Sequence, residues 1–269
     1  MKTRVIAAAA LLPVLLVVLL VAPKAVAAVV WGALLALGAY EMLFRTGLVT
    51  ETRLVIYAAA AAFGVTMWSF LGAHHAWALL LVMVVTGLYF GEMMMSHVKI
   101  TFDKVCMCLV AGLLVPYLLG SIIRILDMKI GRYLVLIPFI VAFASDSGAY
   151  FAGMFFGKHK LAPVISPKKT VEGAIGGIIC AIAAMIIYSV IMQILKFRVN
   201  YLYAIIYGLL GSIVGVFGDL CFSILKRQTG IKDYGNLIPG HGGVLDRFDS
   251  MMMVGPLMEA LLLLIPVIS

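Results

Sequence analysis

Apolar stretches of about 20 residues follow one another along this chain, each long enough to cross a bilayer core of about 30 Å as a helix. Nine can be marked, at 5–22, 25–44, 54–71, 76–95, 105–125, 133–155, 173–195, 201–225 and 249–268. In hydrocarbon, backbone N–H and C=O groups must be satisfied within their own segment, so runs of this length become helices. The expected fold is all-α, a polytopic integral membrane protein with about nine transmembrane helices in one membrane domain, 1–269. The gaps leave no room for a separate soluble domain. Charged residues make up 12% of the chain, against about 25% in soluble domains.

The first stretch has two readings. A basic start, an apolar run and Ala25–Ala27 outline a signal peptide. The uncharged run from Val5 to Ala22 is, however, longer than the usual core of about 7–15 residues, which favours a retained helix. With nine spans, 14 of the 20 Lys and Arg residues fall on the N-terminal side. The excess of basic residues predicts a cytosolic N-terminus and an external C-terminus. The net charge of +8 then concentrates where anionic lipids and nucleotides are found. No basic stripe with interleaved aromatics points to nucleic acid. Cys106, Cys108, Cys180 and Cys221 lie inside apolar spans at spacings that match neither a zinc site nor a disulfide framework, and read as small buried hydrophobes.

Polarity is spread unevenly. In residues 1–132 it is scattered over Glu41, His74, His75, Glu92 and Asp103, which reads as a helical scaffold half, with a functional role left open for Glu41 and Glu92 because they stand inside spans. Residues 133–269 read as the catalytic half. Ionisable residues inside a membrane are costly and usually mark a site, and here Asp146 and Asp219 stand inside spans. At about 100° per residue, Gly208, Gly215, Asp219 and Lys226 fall within about 20° of one line, with Gly211 and Ser223 about 60° away. That face is a smooth glycine strip leading to a carboxylate, a hydroxyl and a cation, and equally a seam for close helix packing.

The segment "KDYGNLIPGHGGVLDRFDS", 232–250, is out of place among such neighbours. Pro239 and Gly240 break any helix, and the Gly240–Gly243 run permits backbone shapes that turn N–H groups toward a ligand. The last helix is expected to begin near Asp246, with Asp246 and Asp249 on one side of its first turn. Capping of that turn is one role for these acids; convergence with Asp219 on an oxygen-preferring cation such as Mg²⁺ is another. Lys226, Arg227, Lys232 and Arg247 surround them, a combination suited to phosphoryl or nucleotidyl transfer. A second basic run, "GKHKLAPVISPKKTVEG" at 157–173, carries Lys158, Lys160, Lys168 and Lys169, with Glu172 as a metal or lysine partner.

These residues resemble the phosphatidate cytidylyltransferases, also called CDP-diacylglycerol synthases. The signature reads Ser223, Lys226, Arg227, Lys232, Asp233, Gly235, Pro239, His241, Gly242, Gly243, Asp246, Arg247 and Asp249 without departure. The resemblance extends over about residues 140–255 through the segments around Asp146 and Lys168. It implies the reaction of CTP with phosphatidate to give CDP-diacylglycerol and pyrophosphate. It also implies a polytopic helical homodimer and Mg²⁺, alone or with a monovalent cation such as K⁺. Asp219, Asp246 and Asp249 are then the candidate metal ligands, and with Lys226 and Arg227 the candidate catalytic residues. Ser223, Lys232, His241, Gly242, Gly243, Arg247, Lys168, Lys169 and Asp146 are the candidate substrate-binding set. The expected location is the bacterial inner membrane, with the site on its cytosolic side.

Two rivals fit less well. A transporter predicts internal repeats, and none is evident. A phosphotransferase acting on a CDP-alcohol predicts a D-G-x-x-A-R run, which is missing. Glu259, about 140° around the last span from Asp246, points away from these groups.

Overall fold

The computed structural model describes residues 14–72, 75–96, 99–235 and 242–268. Residues 1–13, and with them most of the first apolar stretch, lie outside the described residues, as do His74, Pro239, Gly240 and His241; residues 14–20 are helical.

Among the described residues, seven helical runs are long and apolar enough to cross a membrane: Lys24–Arg45, Thr52–Leu71, His75–Met95, Phe102–Asp127, Gly131–Phe156, Val171–Ile194 and Tyr201–Gln228. Met251–Leu264 is an eighth, shorter apolar helix. The apolar runs therefore become helices as expected, with edges shifted by a few residues. Two irregularities interrupt them. The first run is an α-helix, α1 (Lys24–Tyr40), that ends in a π-helical turn, Glu41–Arg45. The fourth run opens with α-helix Phe102–Leu109 and passes through a second π turn, Val110–Leu114, two residues before Pro116. Proline has no N–H to donate and clashes with the preceding turn, which locally widens the helix.

The chain forms two compact units, Met1–Arg132 with Lys226–Phe248, and Tyr133–Leu225 with Asp249–Ser269. In the first, Trp31 is 1% exposed and donates its indole N–H to the Leu119 carbonyl at 3.0 Å. Its ring meets Phe248 edge-on at 5.0 Å, so α1 anchors the chain within the signature. Glu92 accepts a 3.1 Å hydrogen bond from the Tyr57 hydroxyl, a tie between neighbouring helices.

In the second unit, small residues bring helices into close contact. A Cβ at Gly208 would lie 2.6 Å from the Ile182 backbone, and one at Gly211 would lie 2.5 Å from Val141 and Met258. The glycine face of Tyr201–Gln228 is therefore a packing seam. Buried Ser145 and Ser212 close it with a 2.7 Å hydrogen bond. Cys180 departs from expectation, being exposed, while Cys108 is buried; all four cysteines are free thiols.

Residues 157–173 are more ordered than a basic loop. Strands β1 (Lys160–Ala162) and β2 (Ser166–Thr170) pair antiparallel, with Lys160 opposite Thr170. Thr170 then caps helix Val171–Ile194 by accepting from Gly173 N–H at 3.1 Å. Glu172 accepts the Lys158 N–H at 3.1 Å and the His159 N–H at 3.2 Å, and meets His159 Nδ1 at 2.6 Å. It secures the base of the hairpin through the Lys158 and His159 backbone and the His159 ring.

Candidate active site

The signature begins at the end of helix Tyr201–Gln228, which carries Asp219, Ser223, Lys226 and Arg227. Gly230 follows at φ +70°, a left-handed conformation that glycine adopts without penalty, and it turns the chain out of the helix.

Within the first unit the polar groups are built around Asp246. Its carboxylate Oδ2 accepts backbone N–H bonds from Tyr234 at 2.8 Å and Gly243 at 2.9 Å. Oδ1 accepts from Lys226 Nζ at 3.1 Å. The Asp246 side chain is 3% exposed and that of Lys226 12%. Three of roughly four acceptor positions on this carboxylate are thus occupied. The Lys226 ammonium also lies 5.5 Å from the Tyr234 ring centre, close enough for a cation–π attraction. Gly242, at φ +88°, makes the approach possible, because a Cβ there would lie 2.7 Å from Asp246 Oδ2.

This geometry corrects the expected start of the last helix. Asp246 sits in a short 3-10 turn, Leu245–Arg247, and the helix begins at Met251. The Asp246 carboxylate folds back onto the backbone of its own loop, so Asp246 and Asp249 are not two acids on one first helical turn. Arg227, Lys232 and Arg247 are exposed.

Glu41, for which the sequence left a functional role open, joins the signature loop. It is 4% exposed, and its Oε2 accepts the Leu245 N–H at 3.1 Å. Gly235 and Gly243 both lie against its carboxylate, with a Cβ at Gly235 falling 2.5 Å from Oε1. A lone acid near the end of an apolar run gives no hint of a partner 204 residues away.

Within the second unit, Lys169 from β2 places its ammonium 2.5 Å from Asp219 Oδ2. Ser223 donates to Asp219 Oδ1 at 3.2 Å. Asp146 interacts electrostatically with both Asp219 and Lys169 and accepts a hydrogen bond from the Ser250 side chain. Asp249 turns its Oδ1 onto the Ser250 N–H at 2.8 Å, and a Cβ at Gly218 would lie 3.0 Å from the Asp249 carbonyl. The structure thus brings together Asp146, Asp219, Lys169 and Ser223, with Ser250 as an addition the sequence did not single out. Lys168 is exposed.

Among the described residues, no three His, Cys, Asp or Glu side chains form a group able to hold a metal ion. The donors of the second unit are nonetheless the hard carboxylate and hydroxyl oxygens that suit Mg²⁺. Two neighbouring carboxylates, Asp146 and Asp219, face one lysine ammonium as their common positive charge.

The Cytidylyltransferase family model matches residues 2–265. The chain belongs to the cytidylyltransferase family. Among curated proteins, it is 47% identical over 133 residues to a phosphatidate cytidylyltransferase of Staphylococcus haemolyticus, covering 49% of this chain and 50% of that protein. It is 41% identical over 165 residues to the phosphatidate cytidylyltransferase of Bacillus subtilis, covering 61% and 60%. The one from Staphylococcus aureus strain COL is 44% identical over 133 residues, covering 49% and 50%. The chain thus spans half to three fifths of the length of these relatives. Bacterial relatives and the apolar helices together identify a multi-pass membrane protein.

Proposed function

We propose that this protein transfers CMP from CTP to phosphatidate, releasing pyrophosphate and leaving CDP-diacylglycerol in the membrane. The observation that carries the reading is the signature of residues 223–249, built around a buried Asp246 that ties Lys226 to the backbone of Tyr234 and Gly243. The similarity to phosphatidate cytidylyltransferases supports it.

A phosphatidate phosphate oxygen attacks the α-phosphorus of CTP. A new P–O bond forms there, and the bond from that phosphorus to the α,β-bridging oxygen breaks, so the β- and γ-phosphates leave as pyrophosphate. A phosphomonoester has its second pKa near 6 and is ionised at neutral pH, so the nucleophile needs no general base. The difficulty is to bring two polyanions together, which positioned cations solve by neutralising charge.

Lys226, Arg227, Lys232 and Arg247 are assigned to phosphate contacts, with Lys168 and Lys169 as a second set. A bound divalent cation would neutralise phosphate oxygens, and Asp219 with Asp146 would hold it, joined in the family-based assignment by Asp246 and Asp249. The Lys/Arg asymmetry supports an N-terminus and substrate-binding groups on the cytosolic side. Assembly as a homodimer belongs to the same reading.

The test is purified protein in detergent with phosphatidate, α-labelled CTP and Mg²⁺, run beside Asp246→Asn and an EDTA control. Label in a lipid product that disappears in both controls is the expected outcome. No product from folded wild-type protein, across several divalent and monovalent ions, would refute the assignment.

A further inference from the structure

Glu41 is an acid without a part in the reaction above, yet it is buried in a membrane-spanning run, where an ionisable group is costly unless it is well bonded. Its bonds go to the signature loop. A short helical turn leaves its first N–H groups without partners inside the turn itself. For the turn Leu245–Arg247, the Leu245 N–H is taken by the Glu41 carboxylate. The Gly243 N–H two residues before it is taken by Asp246. Two backbone donors at the entry to the turn are therefore fixed by two buried carboxylates, one inside the turn and one from the π turn that ends α1.

The turn that brings Glu41 to the loop is π-helical, Glu41–Arg45. Such turns re-aim side chains and recur at functional sites. Gly235 and Gly243 complete the fit, since any Cβ at either would run into the Glu41 carboxylate. Two signature glycines thus have a packing reason that the signature itself does not reveal: an acid from a distant helix fills the space.

We propose that Glu41 is a positioning residue for nucleotidyl transfer. It caps the turn Leu245–Arg247 and thereby holds Asp246, its Lys226 partner and Arg247 in their working orientation. It touches neither substrate nor reacting atoms. This inference rests on the activity proposed above, and its test separates the two.

Wild type, Glu41→Gln, Glu41→Ala, Gly243→Ala and the double variant Glu41→Ala/Gly243→Ala are compared in detergent. Lipid product is followed for kcat and KM, and thermal unfolding is measured in parallel. Glutamine keeps an oxygen that accepts the N–H bond and should stay within about fivefold of wild-type kcat/KM. Alanine leaves the Leu245 N–H uncapped and should lose about 100-fold, chiefly in kcat, as expected when catalytic groups are displaced by about 1 Å. Gly243→Ala should be severe in wild type and milder in the Glu41→Ala background, where the obstructing carboxylate is gone.

No product from folded wild type refutes the activity, while the same coupling between Glu41 and Gly243 can still be read from the thermal midpoints. If wild type is active, three results each overturn the positioning role. The first is full kcat in Glu41→Ala, even with a lowered thermal midpoint. The second is equal damage from Gln and Ala. The third is a Gly243→Ala effect of the same size in both backgrounds.

Discussion

Lys169 holds Asp219 from the base of a β-hairpin, its ammonium 2.5 Å from Oδ2. The hairpin gives the contact its direction: Glu172 fixes the hairpin base through the His159 and Lys158 N–H groups, and Thr170 caps the helix that follows. Lys169 also answers the charge of Asp146, so one lysine serves two acids. A charge-assisted hydrogen bond contributes about 1.5–3 kcal/mol, which converts to about 10- to 100-fold at 1.4 kcal/mol per decade. Lys169→Ala should lower kcat/KM for CTP by that factor, whereas Lys168→Ala, at an exposed position, should cost less. Steady-state kinetics on the two variants decides it; equal losses would mean that the contact with Asp219 has no special weight.

Gly242 and Gly230 both have positive φ, +88° and +70°, yet only Gly242 lies against a functional side chain. A left-handed non-glycine residue costs about 1–2 kcal/mol. Gly230→Ala has open space around it and should lose only that stability. Gly242→Ala should in addition push on Asp246 and lose product formation. Thermal midpoints and turnover measured together separate the conformational cost from the displaced carboxylate.

The membrane-spanning runs are legible in the sequence because their length and apolarity leave the backbone little choice. The signature residues are legible too, as an unusual polar segment. What joins them is not. Glu41 and Leu245 stand 204 residues apart, and nothing local to either marks the pairing. The last helix begins at Met251 because Asp246 bonds to Tyr234 and Gly243 behind it, a choice that only the folded loop reveals. The run around Lys160 and Lys168 reads as too structured for a plain tether, through Pro163, Pro167, Ser166 and Thr170, but its strands, three and five residues long, are too short for an alternating pattern to show.

Glu51 offers a pH test away from the signature. It lies between spans, where burial pushes its carboxyl up, but the hydrogen bond and charge of Lys104 and backbone donors outweigh this and leave it below the usual glutamate range. A carboxyl depressed in the folded state contributes stability above its unfolded pKa, about 4.3. That contribution is lost as pH falls through the folded value. Thermal midpoints of wild type should therefore fall on acidification below about pH 4.3, and Glu51→Gln should flatten that part of the profile. An unchanged slope in Glu51→Gln would mean that the Lys104 contact adds nothing in solution.

Lys226 and Asp246 are the pair whose separation should matter most. Both side chains are nearly buried, and removing one member of a buried pair costs about 3–5 kcal/mol because the other charge is left uncompensated. Asp246→Ala removes the carboxylate that bonds Lys226 and the Tyr234 and Gly243 N–H groups. It should therefore lower both stability and activity. Lys226→Met keeps the length of the side chain and leaves Asp246 its two backbone donors. Its stability loss should be the smaller of the two, but its activity should fall about 100- to 1000-fold, the scale for loss of one preorganised donor to transition-state charge. Denaturation and turnover measured on both variants test this division. If Lys226→Met loses stability like Asp246→Ala but keeps its turnover, Lys226 serves the fold and not the phosphates.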